Sequence, residues 1–177
     1  MSQPQSARYQ RSPRGLLAAM LVLVLLLLAY VVVQRLTAAH DTDPTPTVDY
    51  AAELPAARKA AGFDLLAPPR LPAGWRATSV RFSPRPGGHW HLGVLTDRER
   101  YVGIEQDSDA VGSMVEQYVD DNAARGAAVD VAGRPWASFT DSGGDLALVR
   151  RLRGTTTLVV GHDVPRSELV AYTASLR

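Results

Sequence analysis

RATSVRFSPRPGGHWHLGVLTDRERYVGIEQ, residues 76–106, is the stretch on which the fold turns. In its first run Thr78, Val80 and Phe82 share one side. In its second, Trp90, Leu92 and Val94 interleave with His89, His91 and Gly93. A period of two marks a strand half-buried against a core. The PRPGG segment at 84–88 and the DRER segment at 97–100 are the turns, and Tyr101–Gln106 makes a third strand. Three strands joined this closely predict an antiparallel meander.

Downstream, residues 110–122 change to helical spacing. Val111, Met114, Val115, Tyr118 and Val119 form the apolar stripe, with Ser108 or Asp109 as the expected cap. Two hairpins follow, pairing 127–131 with 135–140 and 146–152 with 155–161. A last helix is predicted from Pro165 to Leu176, with Leu169, Tyr172, Thr173 and Leu176 facing inward. Upstream, residues 50–61 are Ala-rich and helical in composition. Pro55 suggests a start near Leu54 and Gly62 a stop. Pro68, Pro69 and Pro72 then carry the chain in extended form toward a turn before Trp75. The expected architecture is α+β: an antiparallel sheet of about seven strands with helices packed on one face. Phe82, Trp90, Ile104, Trp136, Leu148 and Val160 are its expected core.

Further upstream the chemistry changes. Gly15–Gln34, GLLAAMLVLVLLLLAYVVVQ, holds twenty consecutive residues without a charge, between Arg14 and Arg35. A helix of that length spans about 30 Å, the thickness of a bilayer's hydrocarbon layer. Arg8, Arg11 and Arg14 precede it and Asp41 and Asp43 follow, so the positive-inside rule puts the N-terminus in the cytoplasm. The expected plan is a cytoplasmic tail at 1–14, a transmembrane helix at 15–36, a Pro/Thr linker at 37–49 and an extracytoplasmic α+β domain at 50–177. The rival is a signal peptide cleaved after Ala39, but an apolar run of twenty exceeds the usual signal core of about 7–15 residues. The expected location is therefore the cell membrane, crossed once.

Charge and composition narrow the partners. Residues 1–36 hold four Arg and no acid, whereas the remainder holds 15 basic and 18 acidic residues. A mildly acidic domain lacks the concentrated basic surface that nucleic acid requires. With no cysteine, there is no disulfide, thiolate metal site or Cys nucleophile. The expected partners are the membrane, through 15–36, and an unidentified component of the envelope, and no cofactor is implied.

Several segments together resemble a known family. They are Asp49-Tyr50, the Leu-Ala-Pro run continuing to Leu71-Pro72-Ala73-Gly74-Trp75, Thr78 to Phe82, His89 to Gly93, Tyr101 to Gln106, and the closing Glu168-Leu169 and Ala174-Ser175-Leu176. The chain is similar to an actinobacterial family of membrane-anchored proteins defined only as a domain of unknown function (DUF4245-like). That resemblance implies an N-terminal anchor and an uncharacterised envelope domain. It supplies no catalytic residues.

Two places stand out as candidate sites. His89 and His91, at i and i+2 on one strand, share a face, which is how two metal ligands are presented. Glu105, Asp107 or His162 would have to complete a metal set. On the bland reading, Trp90 fills the core and both imidazoles lie on a polar surface. His91→Ala then costs no more than about 0.5 kcal/mol. The second place is Trp75 with Pro68, Pro69 and Pro72, a rigid and partly aromatic surface for a peptide or glycan. G-x-S-x-G, phosphate-loop and dinucleotide motifs are absent. The leading expectation is a non-enzymatic binding or envelope-associated module. The alternative is a metal-binding protein or hydrolase-like enzyme centred on His89 and His91.

Overall fold

The computed structural model describes residues 20–31, 45–84 and 87–177. The chain divides into two units, Met1–Pro44 and Thr45–Arg177. In the first, residues 20–31 are helical (α1) and exposed. Among the described residues no helix is long and apolar enough to cross a membrane. The rest of the expected span, at 15–19 and 32–36, lies outside the described residues, as does the tail.

The second unit is α+β. In chain order it contains α2 (Tyr50–Ala60), β1 (Arg76–Ser83), β2 (His89–Leu95), β3 (Tyr101–Asp107), α3 (Val111–Tyr118), β4 (Ala124–Arg125), β5 (Val129–Val131), β6 (Arg134–Thr140), β7 (Asp145–Leu152), β8 (Thr155–His162) and α4 (Arg166–Ala174). The strands form one eight-stranded sheet in the order β1-β2-β3-β8-β7-β6-β4, with β5 paired to β6. Every pairing is antiparallel. The predicted meander is β1–β2–β3. The β6–β7–β8 meander joins it edge to edge through β3 and β8.

Alternation sorts the sheet into two faces. Trp90, Leu92, Val94, Val102, Ile104, Leu148 and Val159 belong to one buried cluster, with Tyr50 and Ala57 of α2 and Leu169 and Tyr172 of α4. Their strand neighbours Ala147, Val149, Leu158 and Val160 belong to a second, with Met114 and Val115 of α3. Helices therefore cover both faces, not one as expected. Each of the hairpin strands β7 and β8 is apolar on both sides, and a strand of that kind needs cover twice over. Of the expected core, Trp90, Ile104, Trp136, Leu148 and Val160 are buried. Phe82, on the edge strand β1, is only partly so.

Other differences are local. α2 starts at Tyr50, because Asp49 caps it by accepting from the Ala51 N–H, and Pro55 is tolerated inside it. α3 is capped by neither Ser108 nor Asp109, and its N-cap is Ala110. The Ser108 and Asp109 carbonyls instead accept hydrogen bonds from the Arg151 guanidinium, anchoring the β3–α3 connection to β7. Val48, within the expected linker, donates its N–H to the Ala77 carbonyl at 2.9 Å and packs on the core.

Candidate functional site

The polar side of β2 and β3 holds a connected cluster. His91 and Glu105 are directly opposed in the β2–β3 register. Glu105 Oε1 lies 2.5 Å from His91 Nδ1, and its Oε2 lies 3.0 Å from His89 Nε2. The carboxylate thus bridges the two imidazoles, one oxygen to each. At 3% exposure Glu105 is among the most buried acids of the domain, so its partners satisfy it where water does not reach. An ionised carboxylate only accepts, so both imidazoles donate to it. His91 then carries its proton on Nδ1 and leaves Nε2 free to accept. The Ser79 hydroxyl meets that nitrogen at 2.8 Å. On the other side, the Tyr118 hydroxyl lies 3.0 Å from His89 Nε2, with the two rings stacked at 11°.

Two irregularities in the sheet bring Ser79 here. Ala77 pairs with Val94 and is buried with the core, so simple alternation would turn Ser79 the same way. A bulge between Ala77 and Ser79 shifts the register, and Ser79 pairs with Gly93 on the His91 side. One extra residue flips a side chain from one face to the other. The second irregularity is a pair of opposed glycines, Gly93 and Gly103. A Cβ on Gly93 would overlap the Ser79 hydroxyl and sit 3.0 Å from the Tyr101 hydroxyl. On Gly103 its three nearest neighbours would be atoms of the Tyr101 ring and hydroxyl, at 3.0–3.4 Å. The glycines thus form a floor on which Tyr101 lies. Burial pushes the Tyr101 hydroxyl up to about 12, Glu105 adds to the rise and Arg81 opposes it. Tyr101 is therefore a hydrogen-bond donor throughout the neutral range.

The other expected ligands take no part in these hydrogen bonds. Asp107 lines a cavity of about 310 Å³ with His89, Ser108, Asp109 and Tyr118. His162 bonds Asp145 at 2.6 Å near the far end of β8, and that bond raises its pKa. Among the described residues no group of three or more His, Asp or Glu is arranged to hold a metal ion. The reason is visible in the cluster: the imidazole nitrogens face separate oxygens of one carboxylate and do not converge on a common point.

The proline-rich candidate separates into parts. Pro72 and Trp75 line a groove of about 330 Å³ with Arg70, Leu71, Glu168 and Tyr172. The Trp75 and Tyr172 rings stand 5.0 Å apart. Pro69 is exposed outside that lining, and Pro68 is buried with its carbonyl accepting from the Tyr50 hydroxyl at 2.9 Å. Trp75 therefore serves the core as well as the surface.

Ser79, Tyr101, Tyr118 and the glycine pair were not singled out from sequence. A glycine at the centre of each of two neighbouring strands was the available signal, since glycine in a strand interior marks close approach of another group.

A small α+β domain carrying a Ser–His–Glu–His–Tyr cluster on a partly covered sheet face defines the class. The chain belongs to the family of proteins of unknown function DUF4245, whose family model matches residues 8–176. Comparison with curated proteins gives no match.

Proposed function

We propose that this protein is a single-pass membrane-anchored module whose domain, residues 50–177, faces outward and binds an envelope component on the polar side of β1–β3. The anchor reading rests on Gly15–Gln34, twenty residues without a charge between arginines. The binding reading rests on one observation above others: five side chains from β1, β2, β3 and α3 converge on a partly open face, held by a bulge and a glycine pair. Sheets use such irregularities to re-aim side chains at sites.

Topology provides the test. Protease added to cells stripped of wall but with intact membranes should digest the domain and spare the Arg-rich tail. Changing Arg8, Arg11 and Arg14 to Glu should weaken or invert this orientation. Full protection of the wild-type domain would place it in the cytoplasm and end the envelope reading.

A further inference from the structure

We propose that Ser79, His91 and Glu105 act together as nucleophile, base and orienting acid in the cleavage of carboxylic esters, with the Tyr101 hydroxyl as oxyanion donor. This chemistry does not depend on which side of a membrane the domain occupies.

The geometry has the parts that acyl transfer requires. Ser79 Oγ sits 2.8 Å from His91 Nε2, and His91 Nδ1 sits 2.5 Å from Glu105 Oε1. A nucleophile–imidazole–carboxylate chain is recognised by this order of contacts and not by sequence position. Glu105 is itself fixed, because its second oxygen is held by His89, which in turn contacts Tyr118. A network needed only to satisfy a buried carboxylate would end at the two imidazoles. Here the bulge and Gly93 carry the chain one group further, to a hydroxyl.

The oxyanion donor follows from the same floor. The Tyr101 hydroxyl and Ser79 Oγ both lie within 3.0 Å of the position a Gly93 Cβ would take, so the two hydroxyls are neighbours over the Gly93 backbone. A carbonyl attacked by Ser79 would place its oxygen beside Tyr101, the arrangement that stabilises developing charge. Arg81, exposed and paired with His91 in the β1–β2 register, adds positive charge nearby. Since Tyr101 is 36% exposed, the substrate lies on the face of the sheet, as an O-acyl ester presented on an accessible molecule.

The steps balance. Ser79 Oγ bonds to the acyl carbon as its proton passes to His91 Nε2. That proton goes to the departing alkoxide as the ester C–O bond breaks, leaving an acyl-serine and a free alcohol. Water, deprotonated by the same nitrogen, then adds to the acyl carbon. The acyl–Oγ bond breaks as the proton returns from His91 Nε2 to Ser79 Oγ, releasing the carboxylic acid.

A fluorophosphonate probe tests this on the full chain in detergent, with p-nitrophenyl acetate hydrolysis measured in parallel. The expected result is an adduct on Ser79, located by peptide mass spectrometry, forming about 10²-fold faster than on exposed Ser142. His91→Gln should bring Ser79 down to the Ser142 rate and lower ester hydrolysis with it. Should that variant fail to melt cooperatively, Tyr101→Phe takes its place, with an expected loss of about 10²-fold in ester hydrolysis. Glu105, a positioning residue, is tested by Glu105→Gln, which should slow labelling, and Glu105→Asp, which should restore part of the rate. Equal loss in both would assign Glu105 to the fold alone and overturn its place in the relay. Labelling of Ser79 no faster than Ser142, or no change in either folded variant, would overturn the proposal.

Discussion

Along β2 and β3 the sheet carries two unlike faces, one backbone thickness apart. On one, Trp90, Leu92, Val94, Val102 and Ile104 are sealed beneath α2 and α4. On the other, His89, His91, Gly93, Tyr101, Gly103 and Glu105 alternate with them in the same strands. α3 covers this second face over β7 and β8, where the side chains are apolar. Over β1–β3 it contributes Tyr118 at the margin, with Gln117 beside it. One face is determined by volume and burial. The other is determined by hydrogen bonds among few groups, and a core needs none of them. That contrast is what singles out the second face as the candidate site.

The contrast is broken most severely from the apolar side. Trp90 is completely buried, so Trp90→Ala should destabilise the domain by about 3–5 kcal/mol, read by denaturant unfolding. A loss below about 1 kcal/mol would mean that the α2–α4 face does not hold the domain together.

The polar face should respond less, yet more than its sequence suggests. His91 was expected to be a surface residue of small consequence. Its side chain is 14% exposed and bonded on both nitrogens, to Glu105 and Ser79. Removing it strips one oxygen of a buried carboxylate of its partner, a loss of about 1–3 kcal/mol. His91→Ala should therefore fall between Trp90→Ala and a true surface change in the same denaturant assay. A cost within about 0.5 kcal/mol would restore the bland reading and remove the tension in the network.

Which parts were legible follows from what sets each of them. The strands, hairpins and final helix could be read because polarity repeats along the chain, as in Trp90-His91-Leu92 and Leu169–Tyr172. Cover on both faces was readable in principle from the continuous apolar run Leu158-Val159-Val160 but was not drawn from it. The His pair and Glu105 were found because their types and spacing carry meaning locally. Ser79 was not, since a bulge decides its face, and a bulge inserts one residue without changing composition. Tyr118 was read as helix stripe, which it also is, because a hydroxyl at the end of an apolar ring serves both roles. The cap of α3 was misplaced because the helix starts one residue later than expected, at Val111, and its N-cap is Ala110, whose side chain caps nothing.

The smallest change in stability should be the most informative about the polar face. Gly93→Ala adds one methyl where the Ser79 hydroxyl now stands and where the Tyr101 ring edge lies at 3.0 Å. Ser79 Oγ is the end of a side chain with a single rotatable bond, so it can turn to another rotamer, and the Tyr101 ring can give by a few tenths of an ångström. Against that strain, alanine in a strand interior is favoured over glycine by roughly 0.5–1 kcal/mol. The two effects oppose, and the net change should stay within about 1 kcal/mol. The Ser79–His91 hydrogen bond should nevertheless be lost, visible as a shift of the His91 Nε2 nitrogen resonance. Gly103→Ala is the matched control: its methyl has Tyr101 atoms as its three nearest neighbours, whereas the nearest atom to a Gly93 methyl is the Ser79 hydroxyl, so that resonance should stay in place. If both variants unfold the domain while the His91 signal of the residual native state is unmoved, the glycines serve the packing of Tyr101 against the backbone. The polar face would then be a second core in miniature, and its difference from the Trp90 face would be one of degree.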